Sequence, residues 1–277
     1  MRIQAVLKPS TATTQRLLNW TVQDYQEALR DFHWFSRVTG GSDAMIQSVK
    51  ELLKQSPSRR QFTVLDVGCD SGEHARALVD WGRRRGIRFN VEIRFAEAGL
   101  EQQSLWADYP EIRVIGNGQD WQPDKVMDMA YDLIIGAGLL HTESQDGIST
   151  TLREMARITR LGYVILDLER NPVAFGVLWL LSRLSGKGRL FRELGPAMVS
   201  NSCRLDEAVQ MAYQARLGSL RAKRRACCWV VLSGRHSGGI GCPNTSILAP
   251  ARPQKPTRRK LTVTTPQRAA VPAMATS

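Results

Sequence analysis

Val64-Leu65-Asp66-Val67-Gly68-Cys69-Asp70-Ser71-Gly72 is the stretch on which the reading of this 277-residue chain turns. Phe62 to Val67 is an apolar run with the composition of a buried strand, Gly68 to Gly72 is a tight turn, and Glu73 to Arg85 reads as a helix. Glycine lets a ligand approach the backbone closely where a first strand turns into its helix, which is how open α/β sheets bind at their carboxyl edges. Gly68 and Gly72 supply that freedom, and Asp66 ends the strand with a carboxylate.

Working outward, strands are expected at Val91 to Phe95, Ile112 to Ile115, Leu133 to Gly136 and Tyr163 to Leu168, with helices at Leu100 to Ala107 and Thr150 to Thr159. Such alternation implies crossover connections and a parallel sheet with helices on both faces. After Pro172 come an apolar helix from Val173 to Leu184, a basic loop through Lys187 and Arg189, and a helix from Asp206 to Ala215. Two closing strands, Ser219 to Lys223 and Cys227 to Ser233, suit a final antiparallel hairpin. Upstream, Trp20 to Lys54 reads as two helices separated by Gly40 and Gly41, with Ser42 capping the second. The fold expected is α/β: a doubly wound, mainly parallel seven-stranded sheet with an N-terminal helical cap. Its divisions are a cap over 1–57, a sheet domain over 58–234 and a disordered basic tail over 235–277.

The dinucleotide fingerprint G-x-G-x-x-G does not fit, because Asp70 stands two residues after Gly68 and no glycine follows Gly72 at the needed step. The segment resembles motif I of the class I S-adenosylmethionine-dependent methyltransferases, an acidic residue followed by G-x-G-x-G. Asp70 replaces the middle glycine, and Asp tolerates left-handed backbone better than most residues. The resemblance runs from Phe62 to about Ser233 and implies that Asp66, Gly68, Cys69, Asp70 and Gly72 hold S-adenosylmethionine, with Asp66 orienting its ammonium group.

It also implies an acid after the second strand that accepts both ribose hydroxyls, as one carboxylate can. Glu97 fits best and Glu92 is its rival. Asn117 and Asp120 are both candidates for the adenine amino group, beside the aromatic face of Trp121. Tyr131 to His141 resembles the family's fourth-strand motif, which places Gly136 near the sulfonium and His141 just beyond the strand. An imidazole there suits removal of a proton from a phenol or enol; a structural histidine satisfied by backbone is the alternative. Asp167-Leu168-Glu169-Arg170-Asn171-Pro172, with the segment from Gly195-Pro196 to Glu207, resembles small-molecule methyltransferases of polyketide or quinone pathways. On that likeness the Val173 to Leu184 helix roofs an acceptor pocket. The activity implied is O-methylation of a phenolic or polyketide-like acceptor, with C-methylation of a quinone precursor, or a binding protein that has lost catalysis, as alternatives.

Composition is compatible: 43% of residues are hydrophobic and 23% charged, the range of ordinary globular chains. The longest apolar stretch is interrupted by Ser182 and Arg183, so membrane insertion is not expected. Five cysteines, none in C-x-x-C spacing, and no secretion signal point to reduced thiols, no metal site and a cytoplasmic protein. Of the net charge of +12, seven units lie from Arg235 onward, where there is no acid. That tail lacks aromatics interleaved with its charges, which stacking on bases would need, so no nucleic-acid partner is expected.

Overall fold

The computed structural model describes residues 22–67, 72–95, 107–117, 126–140, 145–214 and 220–235. They all lie in the first of two units, Met1–Asn244 and Thr245–Ser277. The expected helix from Leu100 falls outside the described residues except for Ala107.

Seven strands form one sheet: β1 (Gln61–Val67), β2 (Arg88–Phe95), β3 (Ile112–Asn117), β4 (Tyr131–Ala137), β5 (Thr159–Leu168), β6 (Leu220–Arg225) and β7 (Trp229–Arg235). Their order is β3-β2-β1-β4-β5-β7-β6. The first five are parallel, and β7 lies antiparallel between β5 and β6, so the sheet is mixed by virtue of its closing hairpin. Seven helices accompany it among the described residues: α1 (Val22–Val38), α2 (Gly41–Leu53), α3 (Glu73–Arg83), α4 (Gln145–Ile158), α5 (Pro172–Leu184), α6 (Arg189–Asn201) and α7 (Leu205–Gln214).

Alternation along the strands sorts the core into two faces. Phe62 and Val64 of β1, Phe89, Val91 and Ile93 of β2, Leu133 and Ile135 of β4, and Val164, Leu166 and Leu168 of β5 share one cluster with Phe35, Met45, Val49, Leu78, Leu178 and Phe191. That face is covered by α1, α2, α3, α5 and α6. The other residues of the same strands, among them Leu65, Ile134, Tyr163 and Ile165, are equally buried, as are Leu152 and Met155 of α4 and Ala208 of α7. The helices α4 and α7 touch each other, and they pack on β5 and on β6 and β7 respectively.

Two local expectations are corrected, and one helix was not foreseen. The second N-terminal helix begins at Gly41 with Gly40 as its N-cap at φ 79°, not with Ser42. A Cβ on Gly41 would lie 2.5 Å from Ser36 Oγ and 2.9 Å from the Trp229 ring, so this turn is set by packing. Residues 189–201 form α6 although they contain Gly195 and Pro196; a Cβ on Gly195 would sit 2.2 Å from Leu178 Cδ2, so that glycine lets α6 approach α5. Lastly, β7 runs through Arg235, which pairs with Gly162, one residue into the stretch expected as tail.

Candidate functional site

The order of strands reverses between β1 and β4, since the chain leaves β1 for β2 on one side and later returns to β4 on the other. At such a switch point the crossovers diverge and leave a crevice beyond the carboxyl ends of the strands. Asp66 and Val67 end β1 beside Ile135 and Gly136 of β4. Asp66 is 1% exposed and points to the face covered by α2 and α3, since its register partners Ile93 and Ile135 do so. A Cβ on Gly136 would lie 3.0 Å from the Val67 carbonyl oxygen and 2.8 Å from Leu139 Cδ1, so the close approach of the two strand ends and the Leu139 side chain leave room there for glycine alone. Gly72 caps α3 at φ 66°, a left-handed conformation that costs glycine nothing.

Of the residues expected at the site, Asp66 and Gly136 are therefore brought to this switch point, and Gly72 caps the helix that follows β1. Asn117 ends β3, the strand paired with β2. Gly68, Cys69, Asp70, Glu97, Asp120 and His141 lie outside the described residues. Glu92, the rival for the ribose, lies mid-strand opposite Leu65 and accepts a 2.5 Å hydrogen bond from Tyr131 at the start of β4. Burial and that bond push the Tyr131 hydroxyl up to about 12. Glu92 is thus committed to the amino end of β4, away from the crevice. Asp132 belongs to that end too: fully buried, it receives Arg59 at 2.8 and 2.6 Å, Arg160 at 3.1 Å and the Thr63 amide at 2.8 Å.

Two carboxylates stand at the carboxyl end of β5 and just beyond it. Asp167, 1% exposed, accepts the amides of Leu140 and Leu168 at 2.7 Å each, and so fixes the chain just before His141. Glu169, also 1% exposed, is held by the Arg224 guanidinium and by Asn171 Nδ2 at 3.2 Å. Asn171 in turn caps α5 by accepting from the Ala174 amide at 2.7 Å. The face of α5 beyond Ala174, Leu178 and Ser182 is uncovered: Val173, Phe175, Trp179, Leu180 and Leu184 are 40–75% exposed.

A titratable cluster that the sequence reading missed joins α1, α2 and α3. His33 Nδ1 is 3.6 Å from Glu73 Oε2, and His74 Nδ1 is 3.5 Å from Ser42 Oγ. Burial pushes Glu73 up to about 7 against the pull of Arg37 and Arg76. It also pushes His33 down to about 3, with help from His74, Arg76 and Arg37, and His74 down to about 4. The one available signal was adjacency, since Glu73 and His74 directly follow the glycine turn.

No family model matches the sequence. A stretch of 150 residues, 51% of the chain, is 21% identical to the non-reducing polyketide synthase atr1 of Stereocaulon alpinum and covers 6% of that synthase. Among solved structures the chain is similar to the DszA carbon methyltransferase, with TM-score 0.51 and 12% identity over 72% of this chain and 54% of that one. It is likewise similar to human N-acetylserotonin methyltransferase in complex with S-adenosylmethionine, with TM-score 0.50 and 13% identity over 76% and 56% of the two chains. The chain thus spans about half the length of these two structures. The likeness is one of fold, and the fold is that of the S-adenosylmethionine-dependent methyltransferases.

Proposed function

We propose that this chain is an S-adenosylmethionine-dependent methyltransferase that acts on a small phenolic or polyketide-like acceptor. The observation that carries the reading is the buried Asp66 at the end of β1, next to Gly136 of β4, at the switch point of a sheet of this fold. A site of that composition fits the donor, because a buried carboxylate suits its ammonium group and the switch point of such a sheet is where ligands bind. When bound, S-adenosylmethionine supplies a methyl group on positively charged sulfur, ready for displacement.

The chain's own residues then do the following. Asp66 and the turn from Gly68 to Gly72 hold the amino-acid end, Glu97 accepts the ribose hydroxyls, and Asn117 or Asp120 meets the adenine. His141 takes the proton from the acceptor oxygen, on a segment that Asp167 anchors through the Leu140 amide. The exposed apolar side chains of α5 roof the acceptor, and α1 and α2 form the cap over the donor, a reading supported by the approach of His33 to Glu73. The likeness to a polyketide synthase supports a polyketide-like acceptor.

Calorimetry with S-adenosylhomocysteine on the wild type and on Gly68→Val tests this directly. Binding that the substitution abolishes is expected, and undiminished affinity in the variant removes the proposal. Turnover with a phenolic acceptor, followed by product mass and resonance analysis, then separates O- from C-methylation and both from a protein that binds without catalysis.

A further inference from the structure

The proposed methyl transfer leaves Cys203, Cys227 and Cys228 unused, and all three lie around the carboxyl end of β5. The Glu169 amide donates to the Cys228 carbonyl at 2.8 Å, the Arg170 amide to the Cys203 carbonyl at 3.1 Å, and Asn171 Nδ2 to the Cys227 carbonyl at 3.3 Å. Cys227 and Cys228 occupy the tight turn between β6 and β7, after Ala226 at φ 49°. Their Sγ atoms are 3.1 Å apart, Cys227 is exposed and Cys228 is fully buried.

We propose that Cys227 and Cys228 form a vicinal dithiol modification site in the turn beside the carboxyl end of β5, oxidised by hydrogen peroxide to a disulfide within the turn. The inference stands on these thiols alone and does not depend on methyl transfer.

The geometry assigns the two sulfurs different parts. Exposed Cys227 is the one a peroxide can reach, and its thiolate attacks a peroxide oxygen. The O–O bond breaks, water leaves after protonation, and Cys227 becomes a sulfenic acid. The neighbouring Cys228 sulfur then displaces the hydroxyl group as water and gives up its proton as the S–S bond forms. Two thiols lose two electrons in total and one peroxide becomes two waters. Burial and the contact with Cys227 push the Cys228 thiol up, so it waits as a protonated partner within reach of the Cys227 sulfur. Ring closure turns the peptide whose carbonyl receives Asn171, and Asn171 caps α5. Oxidation at this turn therefore reaches the helix that faces the acceptor.

Trypsin isolates the pair, because cleavage after Arg225 and Arg235 yields Ala226 to Arg235 with both thiols and none of the other three cysteines. The folded full-length protein is treated with one equivalent of hydrogen peroxide, blocked with iodoacetamide and digested. The expected peptide is unalkylated, at the dithiol mass less two hydrogen atoms, and doubly alkylated when reduced before blocking. In Cys228→Ala the same treatment leaves a Cys227 sulfenic acid that dimedone traps. A wild-type peptide that stays doubly alkylated, is over-oxidised at Cys227, or is linked to another cysteine overturns the proposal. Phenylarsine oxide on unmodified wild type gives a second reading that needs no variant. It condenses with two adjacent thiols, forming two As–S bonds and releasing one water, so a one-to-one adduct on this peptide, removed by a dithiol and not by a monothiol, is expected; absence of the adduct also overturns it.

Discussion

Glu73 ionises at about 7 in the folded protein because burial penalises its charged form, whereas a solvated glutamate ionises near 4.5. Between those values the native state holds more protons than the unfolded one, so its contribution to stability is complete below about 4.5 and is lost as pH rises through 7. His33 and His74 work in the opposite sense. Their native values of about 3 and about 4 lie below the ordinary 6.5, so the unfolded chain takes up protons first and stability falls as pH drops below 6.5. Glu73→Gln removes only the first effect. Its melting temperature relative to wild type should climb between pH 4.5 and 8, by at least about 3 °C in total, while the loss on acidification persists. A difference that stays flat with pH would show that Glu73 is paired as an anion with Arg37 or Arg76. His141 poses a separate residue-scale question, because Asp167 fixes the amide just before it. Loss of a general base costs about 10²- to 10⁴-fold in rate, whereas loss of a packing histidine lowers stability. His141→Gln should lower turnover at least about a hundredfold with donor affinity and melting temperature near wild type; normal turnover would leave alignment alone as the mechanism.

One helix, α5, divides its surface between two duties. Leu178 is fully buried against Gly195 of α6, and Leu178→Ala should cost about 2–5 kcal/mol in denaturant unfolding, as removal of core methyl groups does. Leu180 is 47% exposed, so Leu180→Ser should change stability by less than about 1 kcal/mol and raise KM for the acceptor. Equal destabilisation by both would mean that the exposed face is covered by protein. The strands were legible because buried parallel strands are short continuous apolar runs between turn residues, and β1, β4 and β5 show that composition. The helix α6 was not, since Gly195 and Pro196 look like loop residues until their neighbours are known: Leu178 fills the space at Gly195, and Ser200 Oγ donates to the Pro196 carbonyl at 2.9 Å. Ser42 misled in the same way, as the turn before α2 is shaped by Ser36 and by Trp229 from a strand almost two hundred residues away in sequence. At the candidate site, the strand end at Asp66 and the helix cap at Gly72 were legible because a glycine turn after an apolar strand is a local signal. The His33 to Glu73 contact was not, because it joins elements that only tertiary packing brings together.

Over the whole chain, charge is unevenly shared. The sheet closes with β7 between β5 and β6, and its last pair is Arg235 with Gly162. Beyond Arg235 the sequence adds Arg252, Lys255, Arg258, Arg259, Lys260 and Arg268 and no acid, which is half of the net charge of +12. The crevice at β1 and β4 and every core contact described above involve residues up to Arg235 alone. A chain ending at Arg235 should therefore melt within about 2 °C of the full chain, since each kcal/mol of stability is worth about 2–4 °C at this size. It should also bind S-adenosylhomocysteine with unchanged affinity and heat by calorimetry. The cut must fall after Arg235, because ending at Gly234 removes a ladder pair from a central strand and should lower the melting temperature for that reason alone. A large drop in melting temperature with the longer truncation would show that the basic segment packs on the domain, and a selective loss of affinity would show that it reaches the crevice.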